Sequence, residues 1–423
     1  MTTDVVQPSA AVGHQSRPAW PAAALLVLWA VGLPCSAAVQ TGLDLVGQHA
    51  ALFAGKRVGV IANQTSVDSR GRFIVEVLND LPAVTVTALF APEHGLWGTG
   101  QAGQDVESTL HPVYHVPVYS LYGQTQKPTP AQLSRVDVLV FDIQDVGARF
   151  YTYIWTMALA MEAAAETGKG FVILDRPNPI TGVRTAGPCL DRAFASLTGL
   201  YPIPVVHGMT VAELGRLFNG EGWLASPVRC DLAVIAMEGW RRDLWYDQTG
   251  LPFVRPSPNM RYLETAEVYP GLALLEGTNV SEGRGTDLAF RQFGAPWIDP
   301  NRLADRLNGL SLAGLQFVPV TFTPSSSKYK GRVCGGVRLA VTDRDRLDPF
   351  WAGVQIVDQI QRTWPSDFQW DTVQFDRLCG TDAVRKAVTL HQDLAGLRST
   401  WDGPMKAFLA IRQKYLLYPP PQP

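Results

Sequence analysis

The decimer VDVLVFDIQD, residues 136–145, is apolar over one strand length and then turns abruptly polar. A strand with one wet face alternates apolar and polar residues. A near-continuous apolar run is instead buried on both faces, as in a parallel sheet covered by helices. The same texture occurs at 56–62 (KRVGVIA), 84–90 (VTVTALF) and 170–175 (GFVILD). Helical patterns lie between these runs. Over 151–167, Ile154, Met157, Ala158 and Met161 share one face before Gly168. Thr210 to Glu213 has capping-box spacing ahead of Leu214, Leu217 and Phe218, which makes Glu213 a cap partner. The alternation predicts an α/β fold, a Rossmann-like, doubly wound, mainly parallel sheet domain over residues 42–240. After residue 240 Pro, Gly and Asn concentrate. Alternating segments at 315–322 and 332–341 and helical runs at 349–363 and 401–417 then predict a smaller α+β domain over 241–418, with 419–423 as a frayed tail.

A chain of 423 residues with 46% hydrophobic and 17% charged residues buries a large core. Its net charge of -2 offers no footprint for a polyanion, so nucleic acid is not an expected partner. Residues 1–38 read as a secretory segment or N-terminal anchor: the apolar run 21–35 ends in small residues at Ser36, Ala37 and Ala38. An exported protein, periplasmic or extracellular, is the expectation, touching a membrane only if that segment stays uncleaved. Four cysteines follow it, Cys189, Cys230, Cys334 and Cys379. They lack any C-x-x-C spacing, which leaves one or two disulfides or four buried thiols open.

In doubly wound sheets ligands bind beyond the carboxyl ends of the strands. The polar residues just past the four runs are therefore the candidates: Asn63, then Glu93 and His94, then Asp142 and Asp145, then Asp175, Arg176 and Asn178. Several have structural alternatives. Asp175 and Asn178 can build a turn, and Asp145 can cap the helix that follows. Glu93, in Pro92-Glu93-His94-Gly95, has no such obvious employment.

The string Gly98-Thr-Gly-Gln-Ala-Gly103 spells G-x-G-x-x-G, but it stands well past its strand and no helical period follows it. It reads as a flexible flank to Glu93, and no cofactor is expected. His94, His111 and His115 could suggest zinc. The last two, however, sit in a proline-bounded β-type segment where an i, i+4 spacing does not align ligands, so no metal is expected. A G-x-S-x-G elbow is absent.

The second domain carries Glu276-Gly-Thr-Asn279-Val-Ser-Glu282-Gly-Arg284-Gly-Thr286, whose glycines let the backbone turn and present Glu282 and Arg284. Two carboxyl groups flanking a bond are what glycoside cleavage requires, and an arginine fork suits a sugar carboxylate. Together with FAPEHGLWG (90–98), FDIQDVGARFYTY (141–153), LDRPNP (174–179) and SPNM (257–260), this run resembles the exo-β-N-acetylmuramidase (NamZ-type) family over about residues 42–418. The resemblance implies a cleft between a Rossmann-like domain and a smaller one. It also implies removal of N-acetylmuramic acid from the non-reducing ends of peptidoglycan fragments, small carbohydrate substrates. The glutamate of the P-E-H-G motif matches Glu93, the expected catalytic acid, with Glu282 as second group and Asp142 and Asp145 behind it. Asn63, His94, Arg149, Tyr151, Asp175, Arg176, Asn178, Asn259, Asn279 and Arg284 are the expected substrate contacts. Of these, Arg284, Arg149 or Arg176 would take the lactyl carboxylate. A muropeptide-binding protein without catalysis is the alternative.

Overall fold

Six parallel strands and one antiparallel edge strand form the principal sheet. The computed structural model describes residues 38–101, 103, 108–225 and 229–419. The segment expected to be secretory, apart from Ala38, and the expected tail, apart from Pro419, lie outside the described residues. The strands in chain order are β1 (Arg57–Ala62), β2 (Thr85–Ala91), β3 (Thr109–Leu110), β4 (Pro117–Ser120), β5 (Val138–Asp142), β6 (Gly170–Leu174), a separate antiparallel pair β7 (Ala186–Cys189) and β8 (Pro204–Val206), and β9 (Asp231–Ile235). The sheet order is β3-β4-β2-β1-β5-β6-β9, and only β3 pairs antiparallel. Counting the parallel strands alone, that is the 3-2-1-4-5-6 order of a Rossmann-like domain, with its switch point between β1 and β5.

The continuous apolar runs are continuous because each strand feeds two cores. Val58, Val60, Val138, Val140, Val172 and Leu174 join one cluster with Ile74, Val75 and Leu78. Their alternate neighbours Ile61, Leu139, Phe141, Phe171 and Ile173 join the other, under the Tyr153–Glu166 and Val211–Gly220 helices. Burial on both faces removes the polar alternation a half-exposed strand needs.

The second part carries an antiparallel sheet of β10 (Gln292–Ala295), β11 (Leu315–Phe322) and β12 (Cys334–Val341), in the order β10-β12-β11, with helices at Pro300–Gly309 and Pro349–Thr363. It shares one hydrophobic core with the helical face of the principal sheet, and the two parts form one compact unit. Among the described residues no helix is long and apolar enough to cross a membrane. All four cysteines after the N-terminal segment are unpaired, three of them buried.

Candidate active site

The turn after β2 builds the first wall of the site. Gly95 donates its amide to the Pro92 carbonyl at 3.0 Å and Gly98 to Gly95 at 3.2 Å. The chain therefore reverses at once, and His94 is held at φ +70°, a conformation uncommon for a residue with a Cβ. The glycine string folds back on the acid: Gly103 donates its amide to Glu93 Oε1 at 3.1 Å. Thr152, at the N-cap of the Tyr153–Glu166 helix, makes no side-chain cap. Its hydroxyl instead meets Glu93 Oε2 at 2.9 Å. Glu93 is thus buried, gripped at both oxygens, and close to the N-terminus of that helix. His94 Nδ1 lies 2.8 Å from the Gly100 carbonyl, which only accepts, so Nδ1 carries the proton and Nε2 is the ring's acceptor. Burial pushes this imidazole down, against the pull of Glu93, and keeps it neutral.

The opposite wall comes from the second part of the chain. Gly283 and Gly285 both take left-handed φ, +81° and +82°, so Arg284 between them is turned inward. Its Nε reaches Glu276 Oε1 at 2.9 Å and Glu282 Oε1 at 3.2 Å, Nη2 also binds Glu276 Oε1, and the guanidinium lies 4.9 Å over the Phe290 ring. Burial opposes this charge, but Glu276 and Glu282 raise its proton affinity further, so Arg284 stays a cation. Lys328 completes the cluster on Glu282 Oε2 at 3.1 Å.

Between the walls is a cavity of about 440 Å³ whose lining includes Glu93, His94, Tyr151, Asn259, Glu276 and Arg284. A second, of about 600 Å³, adjoins it through Asn259, Glu276 and Arg284 and reaches Glu282 and Lys328. Burial pushes the phenols of Tyr151 and Tyr269 well up, so both stay protonated donors in the first cavity.

Of the residues expected at the site, Glu93, His94, Tyr151, Asn259 and Arg284 line the first cavity, with Glu282 in the adjoining one. The others are employed elsewhere. Asp142 is wholly buried and paired with Arg176 at 2.5 and 2.8 Å, which occupies both side chains. Asp145 accepts the Gly147 amide at 2.6 Å and faces His207 Nε2 at 3.4 Å; it caps a turn and not the helix. Asp175 receives Tyr418, Thr210 and the Ala212 amide. Asn178 ties Met209 to Ile180. Asn63 shapes the turn after β1 through Thr65 and Ser66. Asn279 clamps Asp367 and Gln369. Arg149, fully buried, donates to the carbonyls of Pro188, Ile203 and Leu378 and is pushed down to about 10 by burial. Each of these residues looks like a ligand-binding group in sequence because polar side chains at strand ends also close the loops there.

Among the cavity residues that escape sequence reasoning are Thr152, Tyr269 and Glu276. Glu276 had a signal, since it heads the E-G-T-N run, but Thr152 reads as an ordinary helix start. Among the described residues no three His, Cys, Asp or Glu side chains gather in a way that could hold a metal ion.

The comparisons agree with this architecture. The N-terminal model of exo-β-N-acetylmuramidase NamZ matches residues 58–264 and the C-terminal model residues 267–418. A peptidoglycan β-N-acetylmuramidase NamZ of Bacillus subtilis (strain 168) is 46% identical over 382 residues, covering 90% of this chain and 91% of the relative. Two DUF1343 family proteins of Bacteroides fragilis NCTC 9343, known from crystal structures, superpose with TM-scores of 0.83 and 0.74. They are 34% and 31% identical, and each match covers 90% of this chain and 99% of the other. The chain belongs to the exo-β-N-acetylmuramidase NamZ family.

Proposed function

We infer that this protein is an exo-acting β-N-acetylmuramidase, a glycosidase that releases N-acetylmuramic acid from the non-reducing ends of peptidoglycan-derived fragments. Family membership supports the activity, and one feature of the site carries the chemistry: a glutamic acid gripped at both oxygens at the wall of the cavity. The Thr152 hydroxyl can donate to a carboxylate or accept from a carboxylic acid, so it holds Glu93 in place through both protonation states. Glu93 is then suited to give its proton to the glycosidic oxygen as the bond to the anomeric carbon breaks and to recover one from water afterwards. Arg284 is the arginine that lines the cavity, and its planar fork matches the lactyl carboxylate that separates muramic acid from glucosamine. Export, expected from the apolar segment before residue 38, would bring the enzyme to such fragments outside the cytoplasm.

The test is release of nitrophenol from a β-linked nitrophenyl N-acetylmuramide and from the matching N-acetylglucosaminide. Turnover of the muramide alone is expected, and Glu93→Gln should lower it by about 10²–10⁴-fold. Near-normal turnover by the variant would remove Glu93 from the acid role. Tight binding of muramyl fragments by an inactive wild type would identify a binding protein instead.

A further inference from the structure

We propose that Glu276 is the second catalytic carboxylate: as an anion it accepts the N–H of the substrate's 2-acetamido group while that group's carbonyl oxygen attacks the anomeric carbon. The proposal rests on the muramidase reading above. Asp142 is paired with Arg176, Asp145 meets Gly147 and His207 through Oδ2, and neither lines the two cavities. Glu282 has one oxygen on Arg284 and the other on Lys328, is almost wholly buried, and lines only the adjoining cavity. Glu276 lines the same cavity as Glu93.

The bonding of Glu276 fits the role. Both Arg284 donors fall on Oε1. Among the described residues no hydrogen bond is donated to Oε2, which leaves one anchored and one available oxygen. A carboxylate whose charge is shared with a guanidinium is a weak nucleophile toward carbon, yet it remains a good hydrogen-bond acceptor. The nucleophile is then supplied by the substrate, whose acetamido carbonyl lies next to C1.

The step balances. Glu93 delivers its proton to the glycosidic oxygen, the C1–O bond breaks, and the acetamido oxygen bonds to C1. Glu276 takes the N–H proton, so the cyclic intermediate is a neutral oxazoline and Glu93 is left a carboxylate. Water then adds to C1 and gives a proton to Glu93. The oxazoline oxygen leaves C1, and Glu276 returns its proton to nitrogen, so the acetamido group is restored and configuration is retained.

Arg284, Glu282, Lys328 and the Tyr269 phenol face Glu276, with Glu93 and His94 on the opposite wall of the cavity. Burial pushes the Glu276 carboxyl up against the pull of Arg284, and Glu282 adds to the push. The acidic limb of kcat against pH should therefore lie above the ordinary glutamate range.

The experiment uses the full-length chain and nitrophenyl β-muramides bearing N-acetyl or N-trifluoroacetyl groups. Fluorination weakens the acyl oxygen as a nucleophile, so the wild type should cleave the trifluoroacetyl substrate far more slowly. Glu276→Gln should lower kcat on the acetyl substrate by about 10²–10⁴-fold, leave KM nearly unchanged and abolish the acidic limb. A kcat within about threefold of wild type, a persisting acidic limb, or equal wild-type rates on the two substrates would each overturn the proposal. The acyl comparison needs no variant and so stands even if Glu276→Gln fails to fold. A wild type inactive on both muramides would refute the muramidase reading itself.

Discussion

At the residue scale, the site separates side chains of the same type by what already holds them. Arg284, Arg149 and Arg176 are equally able to bind a carboxylate in isolation, but Arg149 donates to backbone carbonyls and Arg176 pairs with Asp142 away from the cavity, whereas Arg284, although its Nε and Nη2 already meet Glu276, lines it. Arg149→Met should therefore destabilise the fold by about 3 kcal/mol or more, because several buried carbonyls lose their partner. Arg284→Lys should leave the denaturation midpoint close to wild type. It should lower kcat/KM on the muramide by about 10–100-fold, since a point charge replaces a fork. Thr152→Val tests the grip on the acid. Loss of one hydrogen bond to a charged group is worth about 1.5–3 kcal/mol, so kcat should fall about 10–100-fold with little change in melting temperature.

At the element scale, short turns and caps do the positioning. Gly98 has φ +65°, and a Cβ there would run into the Gln64 side chain. That glutamine in turn donates to the Arg255 carbonyl at 2.6 Å, just before the SPNM segment that contributes Asn259 to the cavity. Gly98→Ala should therefore lower activity more than stability, measured as kcat beside a urea midpoint. The Val211–Gly220 helix shows the other pattern. Its capping box joins Thr210 and Glu213 reciprocally, and Thr210 also donates to Asp175 at 2.8 Å. Thr210→Ala should cost about 1–2 kcal/mol in denaturant unfolding and leave KM unchanged. Glu213 does more than cap, because its second oxygen takes Arg242 at 2.5 Å and the Leu417 amide at 2.9 Å.

At the scale of the whole molecule, the C-terminal segment is tied back to the principal sheet through Tyr418, which donates to Asp175 at 2.6 Å and accepts the Met237 amide. Burial pushes Asp175 up to about 7 even though Tyr418, Ala212 and Thr210 favour its anion. The folded state then holds this proton more tightly than the unfolded chain, whose aspartate titrates near 3.9. Its stabilising contribution is complete below about pH 4 and is lost as pH rises to about 7. Unfolding free energies from pH 4 to 8 should decline across that window, and Asp175→Asn should flatten the decline.

The layered α/β architecture, the strands at 57–62, 85–91, 138–142 and 170–174, and Glu93 as a candidate with no obvious cap or turn to build were legible in the sequence. Burial on both sheet faces writes itself as continuous hydrophobicity, and a carboxylate in a tight Pro-Glu-His-Gly turn has few local duties. β9 and the short pair β7 and β8 were less legible, because such brief segments carry no distinctive period. Which polar residues bind and which merely brace was decided only by tertiary structure. Asp142 and Arg176 are separated by 33 intervening residues, and Glu93 and Glu276 by far more. The pairing of β5 with β6 determines that the first pair neutralise each other, and the packing of the sheet rim against the second part of the chain that the second pair face one cavity.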